Sequence, residues 1–280
     1  MRLGGSIALD WLADLGAVRE VAQGLDGAGF DYATSAGHVL TAASGRYPER
    51  PEVTYALPYR DPFVLFTHLA SCTRSIHLRT GIMILPLYPT ALVARQAADA
   101  AEIMSGRLEL GVGISWQEAE YEALGQDVHR RGARLEEQIE VLRLLWSAPR
   151  ISFHGRHHDI DDLGLGVVPA APIPIWIGCQ VQEKLLRRVA RLADGWMPIV
   201  DPVPHLDQLR GYIREAGRDP EAVGVAGRLT ATGEPETWIA EAARLADAGV
   251  SDLTISPPPG AAPQEGLAAM LAAREAIVAA

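Results

Sequence analysis

The chain has 280 residues, 48% of them hydrophobic, and a formal net charge of -10. That length can fill one large core, and basic residues scattered through predicted helices exclude a nucleic-acid groove and leave a small metabolite as the expected ligand. The two cysteines, Cys72 and Cys179, exclude a disulfide framework and leave one bridge open. The start MRLGGSIALDW lacks a leader pattern, and no uncharged apolar run is long enough to span a membrane, so a soluble cytoplasmic protein is expected.

Taken in chain order, residues 3–9 predict a first strand and residues 15–28 a helix, with Val18, Val21, Ala22 and Leu25 at helical spacing before Gly29. Strand two covers residues 30–35 and is followed by His38. The loop over residues 41–60, with Gly45, Pro48, Pro51 and Pro58, is expected to be a lid or binding loop. Asp61-Pro62 reads as an N-cap with proline at the first helical position. Residues 77–84 form strand three, residues 90–104 an Ala-rich helix, and residues 108–112 strand four, which ends in the small-residue turn Gly111, Gly113, Ser115.

Residues 131–146 give the clearest amphipathic helix, with Leu135, Ile139, Leu142 and Leu145 on one face. The Gly- and Pro-rich stretch 151–174 predicts an inserted hairpin. Alternation then resumes with strands at 174–177, 195–199, 223–229 and 252–255 and helices at 182–192, 204–216, 235–248 and 264–279. About eight strand–helix units with no dividing linker predict an α/β fold, one closed (β/α)8 TIM barrel domain over residues 1–280 with a short insertion after the fourth helix. A doubly wound sheet is the runner-up. Against it, Gly111-x-Gly113 comes late in the chain and has Trp116 where a dinucleotide fingerprint needs its third glycine.

In such a barrel the strand ends carry the chemistry. His38 follows strand two, where an imidazole can polarise a carbonyl; the plainer reading is a structural histidine bonded to a loop carbonyl. Gly113, Ile114, Ser115 and Trp116 end strand four, where small residues admit an anionic group and the Ser115 hydroxyl can donate to it. Gly178, Cys179, Gln180 and Val181 stand between a buried strand and a helix N-terminus, a natural anion cradle, with Cys179 as a small packing residue rather than a nucleophile. Glu118, Glu120 and Glu122 read as a solvated, dipole-favourable helix start. Asp10 and Trp11 are candidates to line a substrate pocket. The histidines of HGRHHDID match no zinc spacing, so no metal site is expected.

The stretches GFDYATSAGHV, HLRTGIMILPLYPTALVARQAA, SGRLELGVGISWQEAEYEALG, RRGARLEEQIEVLRLLW and PIWIGCQVQEKLLRRVARLADGWMP, in this order, resemble the luciferase-like monooxygenase family. The resemblance implies a barrel oxidoreductase using the deazaflavin F420 or FMN. Under it, His38 contacts the reactive ring, Gly81-Ile82 carries a non-prolyl cis peptide and bulge behind that ring, Gly113 and Ser115 touch its edge, and Gly178 to Val181 hold its phosphate. Gly37 stands where many F420 enzymes have Asp, which removes an expected polar contact to the deazaflavin. The implied activity is F420-dependent hydride transfer to or from a small organic substrate. The alternatives are an FMN-dependent two-component monooxygenase using reduced flavin and O2, and a barrel that binds a cofactor or metabolite without turnover. A flavin or F420 reductase as supplier of reduced cofactor and a homo-oligomer are further expectations; nucleic-acid and membrane partners are not expected.

Overall fold

A computed structural model describes residues 1–41 and 57–280, so most of the loop expected as a lid lies outside the described residues. The chain runs β1 (Arg2–Ser6), α1 (Leu15–Gly27), β2 (Tyr32–Gly37), α2 (Pro62–Ala70), β3 (His77–Ile84), α3 (Thr90–Ile103) and β4 (Leu108–Gly113). It continues through α4 (Glu118–Ala123), α5 (Arg131–Ser147), β5 (Ile151–His154) and β6 (Asp159–Leu163). Next come β7 (Ile175–Gly178), α6 (Glu183–Leu192), β8 (Gly195–Met197), α7 (Leu206–Glu215), β9 (Gly224–Thr230), α8 (Pro235–Asp247), β10 (Asp252–Ser256) and α9 (Pro263–Ala279). Strands β1-β10-β9-β8-β7-β4-β3-β2 close into a parallel barrel, while β5 and β6 pair separately as the inserted antiparallel hairpin.

The closed parallel barrel is the expected TIM fold. The first strand is shorter than its apolar run. After Ser6 the chain leaves the sheet for a 3-10 turn at Asp10–Ala13, and the Trp11 indole donates to the Ala261 carbonyl at 2.9 Å. Trp11 is therefore buried packing that ties the β1 end to the loop before α9, not a pocket wall.

The lower lumen is plugged by charge. Arg79 is fully buried on β3, sandwiched between the Tyr32 and Trp176 rings at 4.0 and 3.8 Å, and it donates to Glu109 at 2.7 Å and Asp252 at 2.6 Å. Arg2 closes the cluster on Glu109 at 2.6 Å. Such a cluster adds little net stability over an apolar plug, but each partner removed leaves a buried charge uncompensated. Above the plug lies an apolar layer of Trp176, Met197 and Ala226 with Ile82 packed against it. Larger apolar side chains on the strands' outer faces join the helices in the main core. The lumen is thus filled from below, which leaves the carboxyl ends of the strands as the end where barrels of this kind place their ligands.

Candidate functional site

Four neighbouring barrel strands, β2, β3, β4 and β7, deliver the expected site residues to one side of the mouth. The Gly81-Ile82 peptide bond is cis, as the resemblance implied. It coincides with register shifts in the β2–β3 and β3–β4 pairings, so the ladder is interrupted where Ile82 turns toward the mouth. Ile82 lies across two glycines: a Cβ on Gly113 would stand 2.2 Å from its Cδ1, and one on Gly178 would stand 2.7 Å from its Cγ2. These two glycines are required by that close approach. The result is an apolar platform flanked by bare backbone.

The residues expected to cradle a phosphate follow directly. Gly178 ends β7, and Cys179, Gln180 and Val181 lead into α6, whose N-cap Gln182 makes no side-chain cap. The first-turn amides of α6 are therefore not satisfied by a capping side chain. Cys179 and Val181 pack against the core, and burial pushes the Cys179 thiol up to about 11 while the Trp196 indole opposes the shift. A thiol so shifted is neutral near pH 7, in keeping with packing rather than nucleophilic chemistry. Ser115 sits at φ 51 and its hydroxyl accepts from the Gln117 amide at 3.3 Å, a local turn that fixes the end of β4.

The decisive contact was not expected. Glu120 is almost fully buried, and its carboxylate accepts from His38 Nδ1 at 2.8 Å, from the Val39 amide at 2.6 Å and from the Leu40 amide at 2.9 Å. The reading of all three glutamates as a solvated helix start fits the exposed Glu118, fails for the buried Glu120, and does not extend to Glu122, which is exposed but lies past the first turn of α4. Helical spacing explains the difference, since Gln117, Glu120 and Tyr121 share the buried face of α4 and the Tyr121 hydroxyl donates to the Ile114 carbonyl at 2.5 Å. His38 is accordingly oriented by a carboxylate, not by the loop carbonyl of the plainer reading. Because Glu120 only accepts, Nδ1 carries the proton and Nε2 is left without a protein partner among the described residues. The Tyr59 ring packs on His38 with centroids 4.9 Å apart. Burial, followed by the Glu120 charge, raises the Tyr59 pKa.

The remaining candidates are dispersed. Cys72 and Cys179 are both free thiols. His154 pairs with Asp159 and His158 with Glu137, and among the described residues no group of three or more metal-ligating side chains converges. No helix among the described residues is long and apolar enough to cross a membrane.

With this geometry in place, the comparisons with known proteins are informative. Residues 3–275 match the luciferase-like monooxygenase family. The chain belongs to that family. Among its relatives, an uncharacterised protein of Mycobacterium tuberculosis is 35% identical over 184 residues, covering 63% of this chain and 63% of that protein. An F420-dependent hydroxymycolic acid dehydrogenase of the same organism is 31% identical over 192 residues, covering 66% of this chain and 52% of that protein. The matches thus span less than two thirds of either relative's length. A solved F420-dependent secondary alcohol dehydrogenase in complex with an F420-acetone adduct superposes with a TM-score of 0.81 at 17% identity, over 99% of this chain and 98% of the other. At that identity the likeness shows the fold: this luciferase-like chain has the closed barrel of its family from end to end.

Proposed function

We propose that the chain is an F420-dependent oxidoreductase that moves hydride to or from a small organic substrate at the barrel mouth. A flavin- or deazaflavin-type oxidoreductase is the class its family supports; the choice of F420 and of hydride transfer is the proposal. The observation that carries it is His38, held at Nδ1 by the buried Glu120 and, among the described residues, unpaired at Nε2 beside the Gly81-Ile82 platform.

The residues present fit a flat, phosphorylated cofactor. Ile82 with the bare backbone of Gly113 and Gly178 makes a surface for a planar ring. Beside the platform, the Thr34 hydroxyl is buried with no hydrogen-bond partner among the described residues, a polar group suited to a ring heteroatom. The turn Gly178, Cys179, Gln180, Val181 before α6 would hold the phosphate on helix amides. Ser115 would touch the edge of the ring. When bound, the deazaflavin supplies hydride chemistry. The chain's own part is proton management: His38 Nε2 takes the proton of a substrate hydroxyl as it becomes a carbonyl, and returns it in the reverse direction. Glu120 holds the imidazole in the tautomer that leaves Nε2 basic, and stabilises the imidazolium once formed. A reductase that regenerates the cofactor belongs to the same reading.

Titration of the purified chain with F420 and with FMN, followed by fluorescence, tests this. F420 binding without FMN binding is expected. FMN binding with no F420 binding would sink the deazaflavin assignment and favour the reduced-FMN monooxygenase. If neither reduced cofactor is oxidised faster with the protein than without it, across a substrate panel, a binding-only barrel replaces both.

A further inference from the structure

Arg228 has no part in the chemistry above, yet it stands at the same mouth. Alternation along β9 turns it inward: Ala226 packs with Trp176 and Met197 in the lumen, and the intervening Gly227 faces Leu245 of α8 on the outside. Arg228 is one step nearer the carboxyl end than Ala226, so its side chain leaves the strand above the apolar layer. The guanidinium has no hydrogen bond or ion pair among the described residues. The two carboxylates that line the same recess as Arg228 are already engaged. Arg228 shares a recess of 190 Å³ with Asp201 and Glu241, and both of these bind Arg244 instead, at 3.1 and 2.6 Å.

The surroundings are those of an open recess rather than a convex surface. Arg228 is exposed to water, yet protein packed around it pulls its pKa below the ordinary value, with the Tyr32 hydroxyl acting the other way. Ile199 and Val200, exposed at 59% and 49%, line the same recess. A cation with no hydrogen-bond or ion-pair partner among the described residues, beside exposed apolar side chains, suits an amphiphilic anion: the planar guanidinium matches a carboxylate through two parallel hydrogen bonds, and the apolar residues take the body of the molecule.

We infer that Arg228 is an anion-recognition residue of the substrate pocket, and that the substrate is an organic acid whose carboxylate pairs with it while its apolar part lies against Ile199 and Val200. This rests on the oxidoreductase reading for which molecule is the substrate. The barrel order supports that division, because β9 is separated from the β3 platform by three strands in either direction and so faces it across the mouth. An anion on Arg228 therefore approaches from the side opposite the platform. A phosphate or acidic tail of the cofactor is the other source of an oxyanion, and the experiment separates the two.

Benzoate and its uncharged isostere benzamide serve as probes, with binding measured by ligand-observed NMR on the full chain and on Arg228→Met and Arg228→Lys. Wild type is expected to bind benzoate about tenfold more tightly than benzamide, the scale of one charge-assisted bidentate contact. That preference should vanish in Arg228→Met and persist in part in Arg228→Lys, while F420 and FMN affinities in Arg228→Met stay within about threefold of wild type, as expected of a distant site. Equal binding of the two probes by wild type overturns the proposal, as does an undiminished benzoate preference in Arg228→Met. A tenfold or greater loss of cofactor affinity in Arg228→Met also overturns it, assigning the residue to the cofactor. Should Arg228→Met not fold, Arg228→Gln is read by the same criteria. If wild type binds neither F420 nor FMN, the oxidoreductase reading fails, and the benzoate–benzamide comparison still decides whether Arg228 recognises an anion.

Discussion

Replacing Glu120 by Gln tests the site at its least replaceable contact. The carboxylate accepts three hydrogen bonds, from His38 Nδ1 and the Val39 and Leu40 amides, and the side chain is fully buried. A carboxamide has one oxygen and one NH2, so it can serve the two backbone donors only by turning its NH2 toward His38. Nδ1 must then accept, which moves the imidazole proton to Nε2 and removes the lone pair from the face that meets the substrate. A hydrogen bond to a charged group contributes about 1.5–3 kcal/mol, so losing it from a developing imidazolium lowers turnover by roughly 10- to 150-fold. The assay is F420-dependent turnover across pH 5–9, paired with 15N NMR of the histidine ring. The expected result is a rate in Glu120→Gln reduced by that factor, with the proton on Nε2 and cofactor affinity little changed. A wild-type rate in Glu120→Gln, alongside an inactive His38→Ala, would refute the claim that Glu120 acts through the tautomer.

His38→Ala should retain cofactor binding and lose turnover by about 10²- to 10⁴-fold, measured as kcat against cofactor Kd; unchanged kcat removes His38 from the mechanism. Gly37→Asp should fold normally, because a Cβ there meets Arg60 O and Pro62 Cδ at an ordinary 3.5 Å, and should tighten F420 binding by fluorescence titration if the family's carboxylate contact is restored. Glu109→Gln should cost about 3–5 kcal/mol in urea unfolding at pH 7, since it breaks a buried charge pair and leaves Arg79 and Arg2 to share Asp252. Burial pushes the Glu109 carboxyl up, but His77, Arg79 and Arg2 together draw it far below its ordinary value. Its contribution is therefore fully present above the unfolded carboxyl pKa and is lost progressively as pH falls from there through the folded one, so the penalty of the variant should begin to shrink once pH drops below the ordinary carboxylate range and should vanish only in strong acid. Alkylation of Cys179 by iodoacetamide, followed by peptide mass spectrometry, should stay slow until pH approaches 11, where its thiolate forms; rapid labelling at pH 8 would contradict its burial.

How much of this the sequence displays depends on whether a residue's role follows from local pattern or from closure of the barrel. Strand ends are local: Gly113, Ser115 and the turn from Gly178 could be placed because each ends an apolar run before a helix. His38 could be located for the same reason, but its partner could not. Glu120 lies 82 positions away, and its neighbours Glu118 and Glu122 suggest a period of two where the helix imposes one of 3.6. The available signal is the face shared by Gln117, Glu120, Tyr121 and Leu124, which puts one carboxylate among groups that become buried.

The plug is hidden differently. Arg79, Glu109 and Asp252 each sit in a short apolar strand, and each alone looks like a strand-end charge. Only the register that sets β3 beside β4 and closes β10 onto β1 brings opposite charges to one level. That register also explains why the chemistry is confined to one end. Buried charge needs partners to be tolerated, and at the lower end Arg79 has Glu109 and Asp252. At the upper end, among the described residues, His38 Nε2 and Arg228 face the mouth with no protein partner. Charges paired with one another below and open to the mouth above give the barrel a direction, and the groups left open are those a ligand can satisfy.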